Sequence, residues 1–145
     1  MNWKAEAIEK LRKYDAMRQC VQNIPEELKR LEMESCGIRG AHMDGNPVHG
    51  SRNSADEALL NNLVHRQQLR FALEQAELWL KTTERGLSAL TPEEKLVLHR
   101  FYMYPERGNV DRLCAELGVE QSSVYRKRDK ALYRFTIALY GCPEQ

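Results

Sequence analysis

Arg126, Lys127, Arg128, Lys130 and Arg134 crowd into one short stretch, opposed only by Asp129. Five bases less one acid leave residues 121–140 at +4, on a chain whose total is +1. Screening makes local geometry matter more than total charge, so this stretch is fitted to a phosphate backbone. Its exposed face offers Gln121, Ser122, Tyr125, Arg126 and Asp129, side chains able to meet base edges in a major groove. Ser122 and Ser123 stand where a helix would begin, where hydroxyls, backbone N–H groups and the helix dipole favour phosphate oxygens. The chemistry these residues can do is recognition of double-stranded DNA.

Such a surface needs two helices meeting at a set corner. The preceding segment has Val110, Leu113, Cys114 and Leu117 at helical spacing, with Asn109 expected to cap it. Cys114 is the small residue where the second helix crosses. Gly118 follows four residues later and is expected in a left-handed conformation. Val119 plugs the corner, and Val124 faces the core five residues on. The last helix is expected from about Gln121 to Tyr140, ending at Gly141. Before the pair, Thr91-Pro92-Glu93-Glu94 is a helix start: Thr91 caps, Pro92 takes the first position, and Glu94 completes a capping box. That helix is expected to run to about Met103.

The first half reads as a scaffold. Ala7, Leu11, Tyr14, Arg18 and Val21 share one helical stripe, which Ile24, Leu28 and Leu31 continue past Pro25. Pro25 either starts a second helix or kinks a single one. Four glycines and Pro47 within Cys36–Ser54 predict a long polar, mobile loop over 37–53. Ser54 and Glu57 then form a capping-box-like start to a helix running to about Thr83. This helix has two partly apolar faces: Leu60, Val64, Phe71 and Leu78 on one, Leu69, Leu73, Ala76 and Leu80 on the other. One is expected against the N-terminal helix in an antiparallel hairpin. The other is left for the C-terminal region or a second subunit.

The segment Leu90–Phe135, "LTPEEKLVLHRFYMYPERGNVDRLCAELGVEQSSVYRKRDKALYRF", resembles region 4 of bacterial sigma factors. It is closer still to phage late-gene transcription regulators of the ArpU/RinA type, which are similar in layout too. The resemblance implies a sequence-specific DNA-binding transcription regulator from a bacterial or prophage setting. It makes Gln121, Ser122, Tyr125, Arg126 and Asp129 the base-facing positions. Lys127, Arg128 and Lys130 become backbone or support positions. Two residues depart from the pattern: Glu120 stands where a Ser or Thr cap is usual, and Lys127 where an apolar side chain is expected.

Other chemistries are less well served. Cys36, His42 and His49 share a loop, but their spacing fits no standard zinc site, and no metal or cofactor is expected. No P-loop, dinucleotide fingerprint or local catalytic triad occurs, so an enzyme is not expected. The four cysteines form no CxxC pair and suit a reduced, cytoplasmic chain. Met1–Lys10 lacks the apolar core of a leader, and no apolar run could span a bilayer. The expected fold is all-α: an N-terminal hairpin with a long helix over 1–86, and a helix-turn-helix domain over 87–145. Expected partners are double-stranded DNA, with RNA polymerase and a second copy as further candidates. The competing readings are a helical module that binds RNA polymerase or another regulator, and a DNA-packaging recognition subunit resembling a small terminase.

Overall fold

The computed structural model describes residues 2–43 and 51–141, with side chains over 2–40 and 54–141. It is all-helical, with no strand among the described residues. The helices are α1 (Trp3–Arg12), α2 (Tyr14–Met43), α3 (Ser51–Ser88), α4 (Pro92–Leu98), α5 (Asn109–Leu117) and α6 (Gln121–Tyr140). A π-helical turn, His99–Met103, follows α4 directly.

Several boundaries differ from those the sequence predicts. Pro25 lies inside α2 and neither starts nor ends it. Between Trp3 and Met43 the single non-helical residue is Lys13, and hydrogen bonds cross it: Lys13 N donates to Glu9 O and Met17 N to Lys13 O, both at 3.0 Å. Pro25 is solvent-exposed, while its neighbour Ile24 and Leu31 beyond are buried. Packing on both sides of the proline carries the helix through. The loop expected over 37–53 is mostly helix. Gly37 and Gly40 belong to α2, and α3 begins at Ser51, so Ser54 lies inside α3 and does not cap it. Helical spacing persists through buried Leu31 and Ser35 to half-buried Ile38, which offsets the roughly 1 kcal/mol that each helical glycine costs. Only residues 44–50 of that loop lie outside the described residues.

The chain forms two compact units, residues 1–18 with 78–145, and residues 19–77. The division expected from the sequence lies between 86 and 87. In the first unit, Ala7 and Leu11 of α1 join Leu90, Leu98, Met103, Ala131, Leu132 and Phe135 in one buried cluster. The N-terminal helix thus shares a core with α6. The Trp3 and Tyr140 rings stack at 4.9 Å, and Trp79 Nε1 donates to Lys10 O at 3.1 Å. Tyr14 donates to Glu84 Oε1 at 2.8 Å; burial first, then that carboxylate, push its pKa up to about 12. It therefore stays protonated and donating across the neutral range.

α3 does not stop near Thr83 but runs on through Gly86. This glycine is buried, and a Cβ there would sit 2.7 Å from Phe135 Cε2 and 2.8 Å from Leu139 Cδ2. Glycine is what lets α6 approach α3 this closely. Gly86→Ala is expected to lower stability by about 1–2 kcal/mol, as overpacking outweighs the gain in helix propensity. Gly37, with nothing within 4 Å of its Cβ position, is the contrast. Gly37→Ala is expected to raise stability by about 0.5–1 kcal/mol. Urea unfolding of the two variants checks the opposite signs.

In the second unit α2 and α3 run antiparallel, as the hairpin pattern predicts. Ile24 lines one groove with Leu69, while further along Asn62 Nδ2 donates to Leu31 O at 2.8 Å. Of the two apolar stripes on α3, Leu69, Leu73, Ala76 and Leu80 are the buried or half-buried one. Leu60, Val64, Phe71 and Leu78 are exposed at 59%, 42%, 64% and 56%, so that face has no partner among the described residues.

Candidate nucleic-acid interface

The C-terminal corner rests on a capping box at α4. Glu94 N donates to Thr91 Oγ1 and Thr91 N to Glu94 Oε1, each at 3.2 Å. α4 passes into the π-turn, where Tyr104 N reaches His99 O at 2.9 Å. α5 begins differently from the expectation. Gly108, not Asn109, is the capping residue, in a left-handed conformation. Asn109 is buried within the first turn, and its Nδ2 donates to Arg100 O at 2.7 Å. It ties α5 to the π-turn, a role with no local signature in the sequence.

The bend itself follows the sequence. Gly118 has φ 65° and ψ 36°, and Val119 N donates to Cys114 O at 3.2 Å. Val97, Leu113 and Val124 form a separate small core, flanked by half-buried Val110, Cys114, Leu117 and Val119. Glu120 precedes α6 in extended backbone and makes no side-chain capping bond. Its carbonyl accepts from Ser123 N and Val124 N at 3.0 and 3.1 Å. The amides of Gln121 and Ser122 lie in the first turn, where N–H groups have no carbonyl inside the helix to reach.

With Val124, Ala131, Leu132, Phe135 and Thr136 buried, α6 turns Gln121, Ser122, Tyr125, Arg126, Asp129 and Lys130 to solvent. Ser123, Lys127 and Arg128 are half-buried. The bases separate into two groups. Lys127 Nζ pairs with Glu93 on α4. Arg134 pairs with Glu94. Arg128 pairs with Asp129 at 3.0 Å, and its guanidinium lies over the rings of Phe101 and Tyr125 at 5.2 and 5.1 Å. Arg126 and Lys130 make no ion pair among the described residues. The basic stretch therefore presents two uncommitted cations, one turn apart on one face.

Phe101 is a site neighbour with no local signature in the sequence. It sits on the π-turn with its ring 6.0 Å from that of Tyr125, and with Arg128 it braces the Tyr125 ring. An open groove of about 310 Å³ lies beside this cluster, bounded by Arg100, Phe101, Asn109, Gln121 and Tyr125. Glu93 was likewise unmarked, because nothing near it in the chain announces Lys127.

Of the residues weighed for zinc, Cys36 is exposed, the His42 side chain is not described, and His49 lies outside the described residues. Among the described residues no group of three His, Cys, Asp or Glu side chains could hold a metal ion. No helix among them is long and apolar enough to cross a membrane. The chain matches no protein-family model, no curated protein and no solved structure.

Proposed function

We propose that the chain is a sequence-specific, double-stranded DNA-binding transcription regulator. In this reading α5 and α6 are a helix-turn-helix of the sigma region 4 kind, and the protein is of the ArpU/RinA type. One observation carries it: the outward face of α6 presents Gln121, Ser122, Tyr125, Arg126 and Lys130 together, with Arg126 and Lys130 unpaired among the described residues. A cation left without a partner on an exposed helix face has its full charge available to an incoming anion.

The division of labour follows from the geometry. Arg126, with its planar fork, suits the paired acceptors on a guanine edge, and Gln121 suits adenine. Ser122 and the first-turn amides suit a phosphate. Lys130, one turn beyond Arg126, suits the flanking backbone. Arg128 holds the Tyr125 ring in place against Phe101 and does not need to touch DNA. Lys127 is the backbone contact this arrangement demotes, because reaching a phosphate means leaving Glu93.

Selection of bound duplexes from a random pool tests the reading and supplies the operator. Recovery of no enriched sequence, with no shift of any duplex at low salt, sinks it. Once a site is known, binding measured over a salt series separates the two lysines. Lys130→Ala is expected to lower the magnitude of the salt slope by about one unit. Lys127→Ala is expected to change it by less than half of that, since its charge is already met by Glu93.

A further inference from the structure

The unpartnered face of α3 carries an inference that does not depend on the DNA reading. Within residues 19–77, Leu60, Leu63, Val64 and Phe71 are 59%, 40%, 42% and 64% exposed. At 100° per residue Val64 and Phe71 lie almost in line, with Leu60 one turn before Val64. The helix's other side is already occupied: Asn62 is bonded to Leu31, and Leu69 lines a groove with Ile24. Two antiparallel helices bury only the faces they turn to each other, so this row has no cover among the described residues. Exposed apolar rows of this kind mark association surfaces.

We infer that this face binds a second copy of the chain, with the two α3 helices antiparallel about a twofold axis midway between Gln67 and Gln68. A closed twofold contact must be self-complementary, residue by residue. Midway between Val64 and Phe71, that axis sets each Val64 against Phe71 of the other copy. Leu60 then closes over the same ring from one turn away. Gln67 and Gln68, both exposed, sit on either side of the axis and each meets its own counterpart. A primary amide has two donors and an acceptor, so it can bond its own copy, whereas a charge at these places would repel itself. Arg70, the nearest cation to the axis on this stretch, is drawn away by Glu32 of its own chain at 3.6 Å. Gln75 comes opposite Leu60 of the second copy, and Glu57 lies at the end of the contact, where its carboxylate reaches water. Glu74 falls at the margin, where its carboxylate reaches water. The amides at the centre of this border, with the carboxylates kept to its ends, are what select a second copy over a partner chosen by charge, and two such hairpins together form a four-helix arrangement.

Sedimentation of the full chain at micromolar concentration tests this. A reversible dimer is expected. Phe71→Glu, at an exposed position, is expected to keep its helical circular dichroism and to weaken dimerisation at least about a hundredfold. A monomeric wild-type chain overturns the proposal, whether or not another protein such as RNA polymerase is captured on this face. So does a Phe71→Glu chain that dimerises as before. The orientation has its own readout. Oxidising an equal mixture of Val64→Cys and Phe71→Cys chains is expected to give the mixed 64–71 disulfide, identified by peptide mapping apart from any bond through Cys36. Symmetric 64–64 and 71–71 bonds in its place overturn the antiparallel arrangement.

Discussion

Phe135→Ala is expected to lower the unfolding free energy by about 3–5 kcal/mol, the largest effect of any single substitution considered for this chain. Phe135 is fully buried in the cluster that joins α1 to α6, and it is the largest such side chain described. Its ring lies against Gly86, which has no side chain to move into the space the ring would leave. The cavity should therefore persist, and cavity persistence sets the upper part of the range. Urea unfolding measures it, with the slope of the transition unchanged if only the native state is affected. A loss under about 1 kcal/mol would mean that the α1–α6 core is not the one described. Val124→Ala, in the separate small core of the corner, is the useful comparison: it removes less volume and should cost about 1–2 kcal/mol.

Arg126→Ala is expected to weaken binding to the selected duplex by roughly 1–3 kcal/mol, which is about five- to a hundredfold, with much less effect on an unrelated duplex. The physical reason is the contrast with its neighbours on α6. Lys127, Arg128 and Arg134 spend their charge on Glu93, Asp129 and Glu94, whereas Arg126 is exposed and spends it on nothing among the described residues. Arg128→Ala should act differently, loosening the Tyr125 ring that its guanidinium covers. Gel shifts on cognate and unrelated duplexes distinguish a base-reading loss from a general electrostatic one. If neither Arg126→Ala nor Arg128→Ala alters affinity for the best duplex, α6 is not the recognition element. The chain would then be better sought among helical interaction modules.

The parts of the molecule legible in the sequence are those determined within about one helical turn. Thr91, Pro92 and Glu94 announce the start of α4 because a capping box closes over three residues. Gly118 announces the bend, and Gly141 the end of α6, because each takes a left-handed conformation that side chains resist. Val124 faces the corner because helical spacing puts it there, and Val119 because it follows directly on the Gly118 bend. Where local signals compete, the sequence misleads. Four glycines and a proline predict a loop over 37–53, yet α2 runs on through Met43, with Leu31 and Ser35 buried and Ile38 half-buried along it. Gly86 carries no local mark of its role and is a contact surface for α6.

What the sequence by itself determined is therefore the all-helical character, the glycine bend and the clustering of bases beyond it, since periodicity, backbone sterics and composition are local quantities. Only the tertiary structure decided which of those bases are free. Lys127 finds Glu93, and Arg134 finds Glu94, across gaps in the chain that no local pattern encodes. It also decided that α1 shares its core with α6, and which stripe of α3 is covered. Pairings of this kind depend on where packed helices bring distant residues, and the helices pack as whole faces.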